Sequence, residues 1–166
     1  MPEYVMLAKK FDENKHNIGG WMLSEKLDGQ RAFWDGGISR GKVKATIPYA
    51  NVARDERYKE QQIATGLWSR YGNVIHAPDW WLDNLPKGIC LDGELHGSMS
   101  REDLFSVTSS FDKSRDMWVR VVYNVFDIPH YSTFLAYRRI NNPNQSMVVN
   151  GAGDLVVPTH EIVLNM

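Results

Sequence analysis

The chain has 166 residues, enough for one ordinary domain with a sizeable core. Hydrophobic residues make up 43% and charged residues 23%, a globular mix, and no run approaches the roughly 18 apolar residues a membrane span needs. Nineteen basic residues against 20 acidic ones leave a net charge of −1, which argues against coating a duplex by bulk charge but leaves room for a local basic surface. The N-terminus has no basic stretch followed by an apolar run, so no signal peptide is expected. One cysteine, Cys90, excludes an internal disulfide and fits a cytoplasmic setting.

In chain order, Trp21 to Leu27 and Arg31 to Trp34 read as two strands joined by the turn dipeptide Asp28-Gly29. Residues 41–66 are more polar and read as an insertion or surface excursion, with a helix possible from Asp55 to Thr65. Trp68 to Pro78 is mixed strand and loop, and Asp79 to Asn84 a short helical turn ended by Pro86. Cys90 to His96 reads as a strand. Ser100 caps a helix reaching about Ser110, with Asp103 placed as in a capping box. Trp118 to Asp127 is rich in β-formers and stopped by Pro129. Ser132 or Thr133 begins a second helix to about Ile140, and Asn141 to Asn144 is a loop. A break at Gly151-Ala152-Gly153 precedes a last strand, Leu155 to Leu164. The pattern predicts a single α+β domain over residues 1–166, with mostly antiparallel sheets flanked by helices.

The residues that carry chemistry begin with Ser24-Glu25-Lys26-Leu27-Asp28-Gly29-Gln30-Arg31. A lysine at a strand end, beside an acid and an arginine, can be aimed at an electrophile once it is deprotonated. On the residues alone, a plain hairpin with solvated charges is the commoner meaning of such a stretch. Phe126 lies in an apolar strand where core packing is an equal reading. Glu94 could be a turn carboxylate, Asp92 supports the turn, and Cys90 reads as a small buried hydrophobe. Arg40, Lys42 and Lys44 form a basic cluster that could contact phosphates or simply be a solvated face. The five histidines show no zinc-site spacing and no G-x-x-x-x-G-K-[ST] loop occurs, so neither a zinc protein nor a P-loop ATPase is expected. Trp80-Trp81 reads as packing.

Together these segments resemble a family. Ser24 to Arg31 is similar to motif I, K-x-D-G-x-R, of the covalent nucleotidyltransferases. Trp68-Ser69-Arg70-Tyr71-Gly72-Asn73 resembles the S-R-x-G-N segment of ATP-dependent DNA ligases of the bacterial and phage type. Leu91-Asp92-Gly93-Glu94-Leu95 and Tyr123-Asn124-Val125-Phe126-Asp127 resemble motifs III and IIIa, in the family order. Ser39-Arg40-Gly41 imitates the second segment, but Gly72-Asn73 and Pro78 continue the pattern at Arg70.

The resemblance implies a nucleotidyltransferase (ATP-grasp-like) adenylation domain that uses ATP and Mg2+ and acts on nicked double-stranded DNA in replication, repair or recombination. It implies that Lys26 takes AMP as the covalent nucleophile, with Asp28 orienting the lysine and the nick 3′ end. Glu94 would contact the ribose or a metal-bound water, and Phe126 would stack on adenine. Arg31 and Arg70 would hold the ribose side and the nick phosphate. The same pattern implies a later motif IV, a motif V lysine strand and an OB-fold domain, which this sequence does not display. The chain is therefore expected to be a monomeric, C-terminally incomplete adenylation domain that seals nicks poorly alone, a missing C-terminal OB-fold segment being a possible partner. Two other readings stay open: an RNA ligase or capping-type nucleotidyltransferase, and an inactive nucleotide- or DNA-binding fragment.

Overall fold

The structure is a computed structural model. It describes residues 10–19, 26–52, 62–110 and 116–129, and the backbone of the short strands at 22–23, 148–149, 155–156 and 161–162. In chain order the elements are β1 (Met22–Leu23), β2 (Gln30–Asp35), β3 (Leu67–Ser69), α1 (Asp79–Leu82), β4 (Cys90–Gly97), α2 (Arg101–Ser109), β5 (Val121–Asp127), β6 (Val148–Val149), β7 (Leu155–Val156) and β8 (Glu161–Ile162). One sheet runs β3-β2-β4-β5-β6-β7, and β1 pairs with β8 in a second. Every pairing is antiparallel, as the α+β reading expects. No helix among the described residues is long and apolar enough to cross a membrane.

Strand alternation explains the main core. Ala32 and Trp34 of β2, Leu91 and Leu95 of β4, and Val121, Tyr123 and Val125 of β5 point to one face. There they meet Trp81 and Leu82 of α1, Leu104 and Val107 of α2, and Trp118. The indoles Trp81 and Trp118 pack edge to face with centroids 5.0 Å apart, whereas Trp80 beside them is exposed. Tyr123 donates its hydroxyl to the carbonyls of Ala32 and Leu91, at 2.9 and 3.1 Å, which satisfies a polar group at the centre of an apolar layer. Helix α2 starts as its sequence predicts, with Ser100 Oγ accepting from Asp103 N at 3.1 Å.

The opposite face of β2 explains residues 41–66. Phe33 and Trp68 bury their rings there against Ile47, Ala64 and Val74. Residues 41–44 and 62–64 run antiparallel beside each other, through Gly41 N to Ala64 O, Ala64 N to Lys42 O and Lys44 N to Gln62 O. The described residues of this segment, 41–52 and 62–66, thus lie over the second face of the sheet, which sequence reading did not foresee. Asp35 stands at the base of this segment. Its buried carboxylate accepts from Gly37 N at 2.9 Å, Tyr49 OH at 2.7 Å, Trp68 Nε1 at 3.1 Å and Ser39 Oγ. Most of the helix predicted for Asp55 to Thr65 lies outside the described residues, as do the helix predicted from Ser132 or Thr133, the Asn141 to Asn144 loop and the glycine break.

Three predicted elements need correction. Asp28-Gly29 does not close a hairpin: β1 pairs with β8 and β2 pairs with β3 and β4, so residues 26–29 pass from one sheet to the other. Gly29 is needed for close approach, since a Cβ there would lie 1.9 Å from Leu95 O. The strand predicted from Trp118 begins only at Val121, because 116–120 forms a 3-10 helix that tucks Trp118 into the core. The single last strand is two short ones, β7 and β8, in different sheets.

Removing the Asp35 carboxylate takes one acceptor from four donors, of which Trp68 Nε1 keeps Ser39 Oγ at 3.2 Å. Asp35→Ala is expected to cost about 3 kcal/mol or more, read as a lower urea midpoint; a loss under about 1 kcal/mol would show that water replaces the carboxylate.

Candidate functional site

The face of the sheet that carries Phe33 turns polar toward β4 and β5. Arg31 of β2 lies opposite Glu94 of β4, which lies opposite Asn124 of β5. Asp92, two residues before Glu94, shares that face. The register slips between Asp92 and Gly93: Asp92 pairs with Asp127 and Gly93 with Val125, so Phe126 opposes no residue. This β-bulge turns the Phe126 ring out beside Arg31, whose guanidinium carbon lies 4.9 Å from the ring centroid. Phe126 is partly exposed, so the core-packing reading of its strand position does not hold.

Arg31 grips Asp92 with two prongs, Nε to Oδ1 at 2.7 Å and Nη2 to Oδ2 at 2.5 Å. The Asp92 side chain has 0% exposure. Burial pushes its carboxyl above the usual carboxylate value, the Arg31 pair pulls it back only in part, and nearby Asp127 adds to the rise. Burial opposes the charge on Arg31 too, but the bonds to Asp92 override it and hold the guanidinium above its ordinary value. Sequence reasoning gave Asp92 a turn-supporting role and missed this pair; the alternation of Asp92 and Glu94 on one strand face is the signal that could have found it.

Lys26 is exposed, three residues before Gly29. Three residues of chain reach at most about 11 Å, so the lysine is tethered close to Glu94, whose Oε1 accepts from Gly29 N at 3.2 Å. Asp28 is also exposed, with Arg101 Nη1 at 3.8 Å from its Oδ1. Arg70 follows Ser69, the partner of Ala32, and so stands at the same end of the sheet as Arg31. The S-R-x-G-N pattern has a local physical reason. Ser69 N donates to Asn73 O at 2.8 Å, and Gly72 N donates to Ser69 O at 3.1 Å. Ser69 Oγ accepts from Asn73 N at 3.1 Å. Gly72 takes φ +79°, and a Cβ there would meet Tyr49 O at 2.5 Å. The tight turn leaves Arg70 exposed beside the Tyr71 ring, 5.6 Å from its centroid.

The basic cluster does not assemble. Arg40 lies past the other end of β2, where it pairs with Asp79 at 3.0 Å and Asp83 at 2.8 Å of the α1 region. Lys44 is 4% exposed, which removes its ammonium from any external phosphate, and only Lys42 of the three is a plainly exposed cation. Sequence proximity put three charges together that the turn at 36–41 sends in different directions.

With the geometry described, its likenesses can be placed. No family model matches the chain. The DNA ligase of Haemophilus influenzae is 28% identical over 117 residues, which is 70% of this chain and 32% of that protein. A solved structure, from a structure-function analysis of Lig E DNA ligases and of DNA binding with a minimal scaffold, matches with a TM-score of 0.55 and 25% identity. That match covers 96% of this chain and 53% of the other. The chain is thus similar in sequence and in fold to DNA ligases. It spans about a third of the curated relative and about half of the solved Lig E chain.

Cutting the Arg31 pair from the cationic side leaves a buried carboxylate alone. Arg31→Ala is expected to cost about 3–5 kcal/mol at pH 7 and less at pH 5. An acid whose folded pKa is raised takes up a proton more readily in the fold, so stability is lost as pH rises through that value. Urea unfolding at both pH values tests this; an equal cost at each would mean that Asp92 is not the group left behind.

Proposed function

We propose that the chain is the adenylation part of an ATP-dependent DNA ligase, with a nucleotidyltransferase fold and with Lys26 as the nucleophile. The observation that carries this reading is the polar row at one end of the sheet. There, Arg31, Glu94 and the bulged Phe126 face the same side, next to the strap that bears Lys26. In the first step the Lys26 amine, after losing a proton, attacks the α-phosphorus of ATP. A P–N bond forms, the P–O bond to the β-phosphate breaks, and pyrophosphate leaves. The AMP then passes to the 5′-phosphate of a nick, and the 3′-hydroxyl displaces it as the phosphodiester forms.

The chain's residues divide this work by chemistry. Phe126 offers an aromatic face to the adenine, backed by the Arg31 guanidinium. Glu94 accepts from the ribose hydroxyls. Arg31 lends positive charge on the nucleotide side and Arg70 on the nick side, where guanidinium forks suit phosphate oxygens. Asp28 orients the lysine and the nick 3′ end. Lys42 is the member of the basic cluster suited to a DNA phosphate.

Among the described residues no three His, Cys, Asp or Glu groups converge to hold a metal ion. Mg2+, an ion that commonly takes only one or two protein carboxylates, would come with the nucleotide phosphates, and Glu94 would be the protein ligand. Bound there, Mg2+ would neutralise phosphate charge. The likeness to DNA ligases favours nicked DNA over RNA or a cap as the acceptor.

Incubation with α-labelled ATP and Mg2+ is expected to give an acid-labile adduct on the chain, absent in Lys26→Ala, with a peptide map placing the label on Lys26. Label retained by Lys26→Ala, or label from GTP in preference to ATP, would defeat the proposal.

A further inference from the structure

Lys26 lies on the strap that leads into β2. That strand is paired on both sides only from Ala32 onward; at Gln30 and Arg31 it has β4 alone as a neighbour. The strand end that carries the nucleophile therefore lacks half its ladder, and side chains supply the missing restraint.

Three consecutive residues there are tied in three directions. Gly29 N donates to Glu94 Oε1. Arg31 grips Asp92 on the polar face. Gln30 points to the other face, as alternation requires, and its Oε1 accepts from Thr108 Oγ1 of α2 at 2.6 Å. Thr108 is buried, and its carbonyl accepts from His76 N at 3.2 Å, so the hydroxyl is held from behind by a residue of the core loop. The first residue of α2 also reaches the strap through Arg101 and Asp28, but that contact is long and exposed and restrains little. The part-buried bond from Thr108, whose hydroxyl has Phe105 O as a more distant second acceptor at 3.2 Å, is the one that fixes the rotation of β2 about its own axis at Gln30.

We propose that Thr108 is a positioning residue for the Lys26 nucleophile, acting through Gln30. The proposal rests on the adenylation reading of Lys26. Attack on phosphorus needs the amine within about 3–3.5 Å and in line with the leaving oxygen, and a 1 Å misplacement costs about a hundredfold in rate. A β2 end free to twist moves the strap by a fraction of that distance. The ATP contacts proposed for Phe126 and Glu94 stand on β5 and β4, and Arg31 is held to β4 by its own pair with Asp92, so none of them is fixed by the Thr108–Gln30 bond. Losing the bond should therefore slow the chemical step more than it weakens ATP binding.

Adenylation of Lys26 under single turnover, followed over a range of ATP concentrations with Mg2+, tests this. Thr108→Val is expected to lower the rate at saturating ATP about tenfold, while the ATP concentration giving half that rate stays within about twofold. Thr108→Ser, which keeps the hydroxyl, should recover most of the rate. Gln30→Met probes the same bond from the other side without touching the α2 core, and the double variant should be no slower than the slower single one. Saturating rates within about twofold of the parent in both Thr108→Val and Gln30→Met overturn the proposal, as does a Thr108→Ser chain no faster than Thr108→Val. A parent chain that forms no Lys26 adduct defeats the adenylation reading itself, a result distinct from an adduct that forms equally fast in every variant.

Discussion

The two-pronged pair between Arg31 and Asp92 joins the central strands β2 and β4 on the polar face of the sheet, with its acid closed off from water. A charge buried that deeply is tolerable only while its partner is held in place. The holding is visible on each side. The β-bulge at Phe126 puts an aromatic face against the Arg31 guanidinium, and Arg31 stands opposite Glu94, which takes the Gly29 amide. Arg31, Glu94 and Phe126 thus depend on one another's positions, and the strap that bears Lys26 is anchored to the same group. Preorganisation of this kind suits a transfer reaction that relies on placement and charge neutralisation more than on covalent variety.

A second constraint comes from strand β2, which is covered on both faces. Its Ala32 and Trp34 side is met by helices, and its Phe33 side by residues 41–51 and 62–66. The cover is fastened at Asp35, where one carboxylate gathers a backbone amide, a serine, a tyrosine and an indole. The cover ends where the polar row begins, so apolar and polar halves of one sheet face lie side by side. Arg40, drawn to Asp79 and Asp83 at the far end, braces α1 and is distant in the fold from the Lys26 strap.

The likeness to a Lig E DNA ligase extends over nearly all of this chain but half of the other, and the likeness to the Haemophilus influenzae ligase over a third of that protein. The Lig E match spans nearly the whole chain and so takes in the polar row.

Lys26, Arg31, Arg70, Glu94 and Phe126 could be singled out because each stands in a short segment with a distinctive residue order. The antiparallel α+β class was legible too, since alternation and capping are local: Ser100 and Asp103 mark the start of α2 without help from the rest of the chain. Sequence alone could not decide which strands pair. Asp28-Gly29 has the composition of a hairpin turn, and only the docking of Gly29 against Leu95 O makes it a crossing between sheets. Nor could it separate Lys44 from Lys42, because burial depends on what packs above a residue and not on its neighbours in sequence. The Asp92 pair, the Asp92–Asp127 pairing at the bulge beside Phe126 and the tie from Thr108 to Gln30 join residues 61, 35 and 78 positions apart. Such contacts exist only once the sheet has formed, so the tertiary structure alone decided them.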